Sequence, residues 1–142
     1  MWQRIIAIAE VIGGSLALSA TILAAKSGAS KPAILLGSGL DLLVVVSGVL
    51  LWFKPTIGVM LSEIAQGLQC VQFFTVWLSW RYVAGIALLV EVIGGEMSWS
   101  GGLLVRHTLL QEEESGATGL GVNVIAVGAV IFLVMSQKRR KR

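Results

Sequence analysis

TIGVMLSEIAQGLQCVQFFTVWLSW, residues 56–80, is long and apolar enough to cross a bilayer, yet it carries Glu63, Gln66, Gln69 and Gln72 through its middle. On a helix turning about 100° per residue, each three-residue step carries the polar mark back by about 60°. The four side chains therefore spread over about half the circumference. Hydrocarbon offers them no hydrogen bonds, so they must face other protein or water. The stretch predicts a central polar helix with apolar helices packed around it.

The rest of the chain agrees with a membrane setting. It has 142 residues, 56% hydrophobic and 13% charged, with mean hydropathy +0.85, which excludes a disordered chain and does not suit a soluble domain. The apolar residues fall in long runs without the strict alternation of a membrane β-barrel. The expected fold is all-α: a polytopic transmembrane helix bundle of about five spans. These are residues 5–25, 34–53, 57–80, 82–105 and 119–136, in one membrane domain covering 1–136, with a basic tail at 137–142.

Working outward, Ala9, Gly13, Ala17, Thr21 and Ala25 recur every four residues along the first span and form a small-residue ridge for close helix packing. Gly48 does the same on the second span, and Pro32 is placed to open that span. Residues 82–105 begin as a span, then meet Glu91, Glu96 and MSWSGG. They read either as a full crossing or as a half-helix broken at Gly94 and Gly95. Residues 106–118, RHTLLQEEESGAT, read as an acidic loop. Five spans put the two ends on opposite sides; four spans, with both ends inside, would move Arg4 and Lys54 inward and Lys26 and Lys31 outward and fit the charges less well. The positive-inside rule then makes the C-terminus cytoplasmic, in a plasma or inner membrane.

The pentapeptide EVIGG occurs twice, at residues 10–14 and 91–95. GSGLDLLVVVSGVLLWFK at 37–54 is echoed by GLGVNVIAVGAVIFLVMSQK at 119–138, with Asp41 opposite Asn123. With one span between the copies, an inverted two-helix repeat around the central polar helix fits this pattern, as does chance matching among common Gly, Val and Ile.

Glu10, Asp41, Glu63, Glu91 and Glu96 lie inside the expected spans, Glu96 just to the outer side of the membrane middle. No Lys, Arg or His lies inside any of them. A lone charge there costs about 2.5–3.5 kcal/mol on insertion scales. The acids are expected to be protonated and bonded to Gln66, Gln69 or backbone, to hold a proton or cation in a hydrated cavity, or to meet a cation from another protein. Asn123 joins them as a polar contact. Cys70, the single cysteine, reads as a buried filler, and His107 as a loop residue. Neither supports catalysis, a metal site or a cofactor. The basic tail suits anionic lipid and not nucleic acid.

IAEVIGGSLALSA, residues 8–20, resembles the first span of small multidrug-resistance exporters, which implies that Glu10 corresponds to their transport carboxylate. LLVEVIGGEMSWSGGLLVR, residues 88–106, resembles the Glu–Gly–Gly span of DoxX-type membrane proteins. Each resemblance covers one segment. Two function classes follow: a non-catalytic accessory subunit of a larger membrane complex, or a small proton- or cation-coupled transporter acting as a homo-oligomer. The partners are the bilayer and either other membrane subunits or further copies of this chain.

Overall fold

Two of the expected spans form as continuous helices. In the computed structural model, which describes residues 1–75, 79–111 and 118–140, α1 runs Trp2–Lys26 and α2 runs Lys31–Phe53. Both are long and apolar enough to cross a membrane. α1 stops where Gly28 adopts φ 89°. There Ala29 N bonds Ala24 O and Gly28 N bonds Ala25 O, the paired closure that a left-handed residue permits. Pro32 occupies the first turn of α2, where its missing N–H costs nothing.

Each helix buries one stripe at helical spacing. In α1 it is Ala7, Glu10, Gly13, Gly14, Ala17 and Thr21; in α2 it is Gly37, Asp41, Val44, Ser47, Gly48 and Leu51. The outer faces carry Ile5, Ile8, Ile12 and Leu16 on α1, and Leu42, Val46 and Val49 on α2, all exposed. Polar groups inside and large apolar groups outside reverse the arrangement of a water-soluble bundle.

Beyond α2 the all-α, five-span expectation is overturned. α3 covers Pro55–Cys70 and then gives way to a strand, β1, Val71–Phe74. Residues 82–105 do not cross as a helix or break as a half-helix. They lie in an antiparallel hairpin of β2, Ser79–Ile93, and β3, Glu96–Gln111. The expected last span begins as β4, Gly119–Asn123, before α4, Val124–Arg140. The four strands form one antiparallel sheet in the order β1-β4-β2-β3. β1 also pairs with the start of β2, Phe73 opposite Trp80, so β1, β4 and β2 curl into a closed group.

The physical reason is that hydropathy records apolarity and not period. β2 is buried on both faces from Tyr82 to Gly85, so its sequence is continuously apolar, like that of a buried helix. The decisive local signal is Gly94–Gly95, with φ 59° and 89°, between the paired residues Ile93 and Glu96. Two adjacent residues with positive φ make the tight two-residue turn whose twist suits a hairpin.

The inverted repeat falls with the five spans. Residues 10–14 are helical, whereas the same letters at 91–95 are strand and turn. Residues 37–53 are all helix, whereas their echo starts as a strand. The chain ends do not lie on opposite sides either. Gln3 Nε2 donates to Ser136 Oγ at 3.2 Å, and the Trp2 and Phe132 rings lie 6.5 Å apart, so both ends meet at one end of the bundle. The expected acidic loop is corrected in its first part, since residues 106–111 continue β3; residues 112–117, and the final residues of the tail, 141–142, lie outside the described residues.

The sheet docks on α1 through an absence of side chains. A Cβ on Gly13 would sit 2.6 Å from Gly85 Cα and 2.7 Å from Ala84 O. Gly85 itself has φ 116°, so two glycines make this crossing. On the helix side, Tyr82 and Ala84 of β2 join Ala17, Val44 and Ala65 in one apolar cluster. Val83, Ala87 and Leu89, on the alternate face, form another with Leu104.

Candidate functional site

The carboxyl of Glu10 lies where α1, α2 and α3 meet, 1% exposed. Ser62 Oγ lies 2.7 Å and Ser47 Oγ 3.1 Å from its Oε2, and Gln66 Nε2 donates to its Oε1 at 3.0 Å. Ser62 and Gln66 are one turn apart on α3 and so present their polar groups together. Gly48 beside Ser47 lets α1 come close: a Cβ there would lie 2.7 Å from Ala7 O and 2.9 Å from Glu10 Cβ. All three partners are neutral. Ser47 Oγ also reaches Val44 O at 2.8 Å and has one proton for two acceptors. That proton is shared between Glu10 Oε2 and Val44 O.

A second buried acid, Asp41, lies further along the bundle, 0% exposed. Thr21 Oγ1 donates to its Oδ2 at 2.8 Å and the Tyr82 hydroxyl to its Oδ1 at 3.3 Å, which joins α1, α2 and β2. Gln69 ties the sheet to α3: its Oε1 accepts from Ala84 N at 2.9 Å, next to the Gly85 crossing. Thr21, Ala17, Gly13 and Gly48 all lie in the buried stripes, with Thr21 bonding as well as packing.

The remaining residues singled out in the sequence do not join these two acids. Glu63 Oε1 accepts from Gln137 Nε2 at 3.0 Å and links α3 to α4 near the chain ends. Asn123 Oδ1 accepts from Ala126 N at 3.3 Å, so it caps the start of α4. Glu96 is exposed at the hairpin turn. Glu91 is buried in the sheet, in a cross-strand row with Gly121 and Gln72. A Cβ on Gly121 would lie 3.1 Å from Glu91 Cγ and 3.4 Å from Gln72 Cβ, so the two long side chains close over the glycine. The Gln72 amide is fully buried, and neither of its polar atoms has a hydrogen-bond partner among the described residues.

Sequence reasoning missed Ser47, Ser62 and Tyr82. A serine gives no signal by type, but Ser62 stands one helical turn before Gln66, and that spacing was available. Tyr82 gives no signal, because its contact with Asp41 depends on β2, which the apolar run does not distinguish from a helix.

A cavity of about 450 Å³ opens between α1, α3, α4 and β2. Ile5, Ile6, Ile86 and Phe132 line it, with Glu10, Gln66 and Gln69 in its wall. Among the described residues no group of three or more His, Cys, Asp or Glu is placed to hold a metal ion. Cys70 is half-buried at the end of α3, and burial pushes its thiol up, away from the reactive thiolate. Comparison with protein-family models, with curated proteins and with solved structures gives no match to this chain.

Proposed function

We propose that this is an integral membrane protein with a structural role, a non-catalytic subunit of a larger membrane assembly. The observation that carries the reading is the binding of Glu10 by Ser47, Ser62 and Gln66, neutral groups on two other helices. A carboxyl enclosed in this way bolts helices together and leaves no free acid to bind a passing ion. The apolar outer faces of α1 and α2 support lipid contact. Arg4, stacked 5.2 Å over Trp52, belongs to an interfacial belt at the end of the bundle shared by Lys54 and the basic C-terminus. That end is the cytoplasmic one by the positive-inside rule, and its basic tail meets anionic lipid.

Extraction in mild detergent followed by mass spectrometry tests this. A subunit brings other polypeptides with it in fixed ratio, and Glu10→Ala loosens their retention. A chain that always purifies free of other polypeptides ends the proposal.

One feature favours a second reading, a small proton- or cation-coupled transporter: the cavity reaches Glu10, Gln66 and Gln69. In that case Glu10→Gln removes pH-driven flux from reconstituted vesicles while the protein stays folded. Vesicles that show no flux with the unaltered chain exclude it.

A further inference from the structure

Among the described residues β3 is the last strand of the sheet and pairs only with β2. From Glu96 to Val105, only Ser100 and Leu104 are not fully exposed, so nothing among the described residues covers this edge. Along such an edge every second residue leaves its N–H and C=O unpaired, and that row is disfavoured in either setting. Lipid offers it no hydrogen bonds, and in water it is a template for uncontrolled pairing. Only another strand matches such a row.

We propose that β3 pairs antiparallel with β3 of a second copy, about a two-fold axis at Gly101, to make one eight-stranded sheet. The pair Ile93–Glu96 closes a two-residue turn and is a hydrogen-bonded pair of the β2–β3 ladder. Alternate residues, Met97, Trp99, Gly101, Leu103 and Val105, therefore turn their backbone groups outward. Centring on Gly101 sets Trp99 opposite Leu103 and Met97 opposite Val105. All four are exposed apolar residues on the sheet face that also exposes Ile86 and Val92. The same register sets the backbone of residue 96 opposite that of residue 106 at both ends, and no other centre aligns these two positions, which are of opposite charge type in the sequence. At the axis the two backbones meet at glycine, with no side chain between them. This pairing rests on the strand edge and is independent of both functional readings.

Cysteine cross-linking in native membranes, in a Cys70→Ala background, tests it. A Cβ at residue 101 meets only the Leu88 Cδ1 methyl at 3.2 Å and Ala87 O at 3.6 Å, and the methyl can turn aside. Gly101→Cys is expected to oxidise to a covalent dimer of twice 15.1 kDa. Met97→Cys is expected to stay monomeric, because its like residue lies about 27 Å away, eight steps along the strand at about 3.3–3.4 Å each. Native mass spectrometry of the unaltered chain in mild detergent is expected to show the dimer, and Trp99→Lys with Leu103→Lys to lower the dimer fraction at least tenfold. A monomer in that spectrum, a cross-link through residue 97 in place of 101, or a different polypeptide bound along β3 overturns the proposal.

Discussion

At Glu10 one side chain satisfies donors from two other helices, so its removal is felt at several places at once. Glu10→Ala strands the Ser62 hydroxyl and the Gln66 amide, at about 1–3 kcal/mol for each group left without a partner, while Ser47 keeps Val44 O. Thermal or denaturant unfolding in detergent is expected to show a loss of several kcal/mol for Glu10→Ala. Glu10→Gln, which keeps one acceptor and the volume, should lose about a third as much. Equal stability of Glu10→Ala and the unaltered chain would show that the three contacts hold nothing. Gln72 presents the opposite case. Its buried amide has no partner among the described residues, so Gln72→Leu is expected to raise stability by about 1 kcal/mol or more. A fall in melting temperature would mean that the amide is bound by something outside this chain.

The β2–β3 hairpin depends on two glycines. Gly95→Val forces a β-branched residue to φ 89° and should cost about 1–2 kcal/mol. Gly94→Asn, a residue that accepts the left-handed region, should be close to neutral. If the two variants unfold alike, the turn is not the one described. The contact between α1 and β2 is tighter still. Gly13→Leu drives a side chain into the Gly85 backbone, which cannot turn aside as a methyl can. Its cost should reach or exceed the roughly 1–3 kcal/mol of ordinary overpacking. Protease protection of the hairpin should fall with it, and unchanged protection would show that α1 and the sheet do not touch there.

Over the whole molecule, the position of the chain ends separates this fold from a five-span bundle. Gln3→Cys and Ser136→Cys together are expected to be joined by a short bifunctional thiol cross-linker in a Cys70→Ala background, since the native side chains are hydrogen-bonded at 3.2 Å. A five-span bundle would hold them on opposite faces of the bilayer, and no cross-link would form. The distribution of polarity is also a property of the whole: Glu10, Asp41, Ser47 and Ser62 inside, Ile5, Ile12, Leu42 and Val49 outside. It holds for α1 and α2, the two helices long enough to span.

The apolar runs of these two helices were legible from residue order alone, and the structure places Gly13, Ala17, Thr21, Gly48, Glu10 and Asp41 in their buried stripes. Helical spacing and an uninterrupted apolar run act over neighbouring residues, whatever the rest of the chain does. The sheet was not legible in the same way. EVIGG is helix at residues 10–14 and strand and turn at residues 91–95, so those five letters carry no fold of their own. At the first site the two glycines sit within a helix, against the sheet and α2. At the second they reverse the chain, so that β3 can pair with β2 along its whole length. Which outcome prevails depends on partners distant in sequence: Gly85 for Gly13, and β4 for the far end of β2. A strand buried on both faces has the same hydropathy as a buried helix, and only its hydrogen-bonded neighbours tell the two apart.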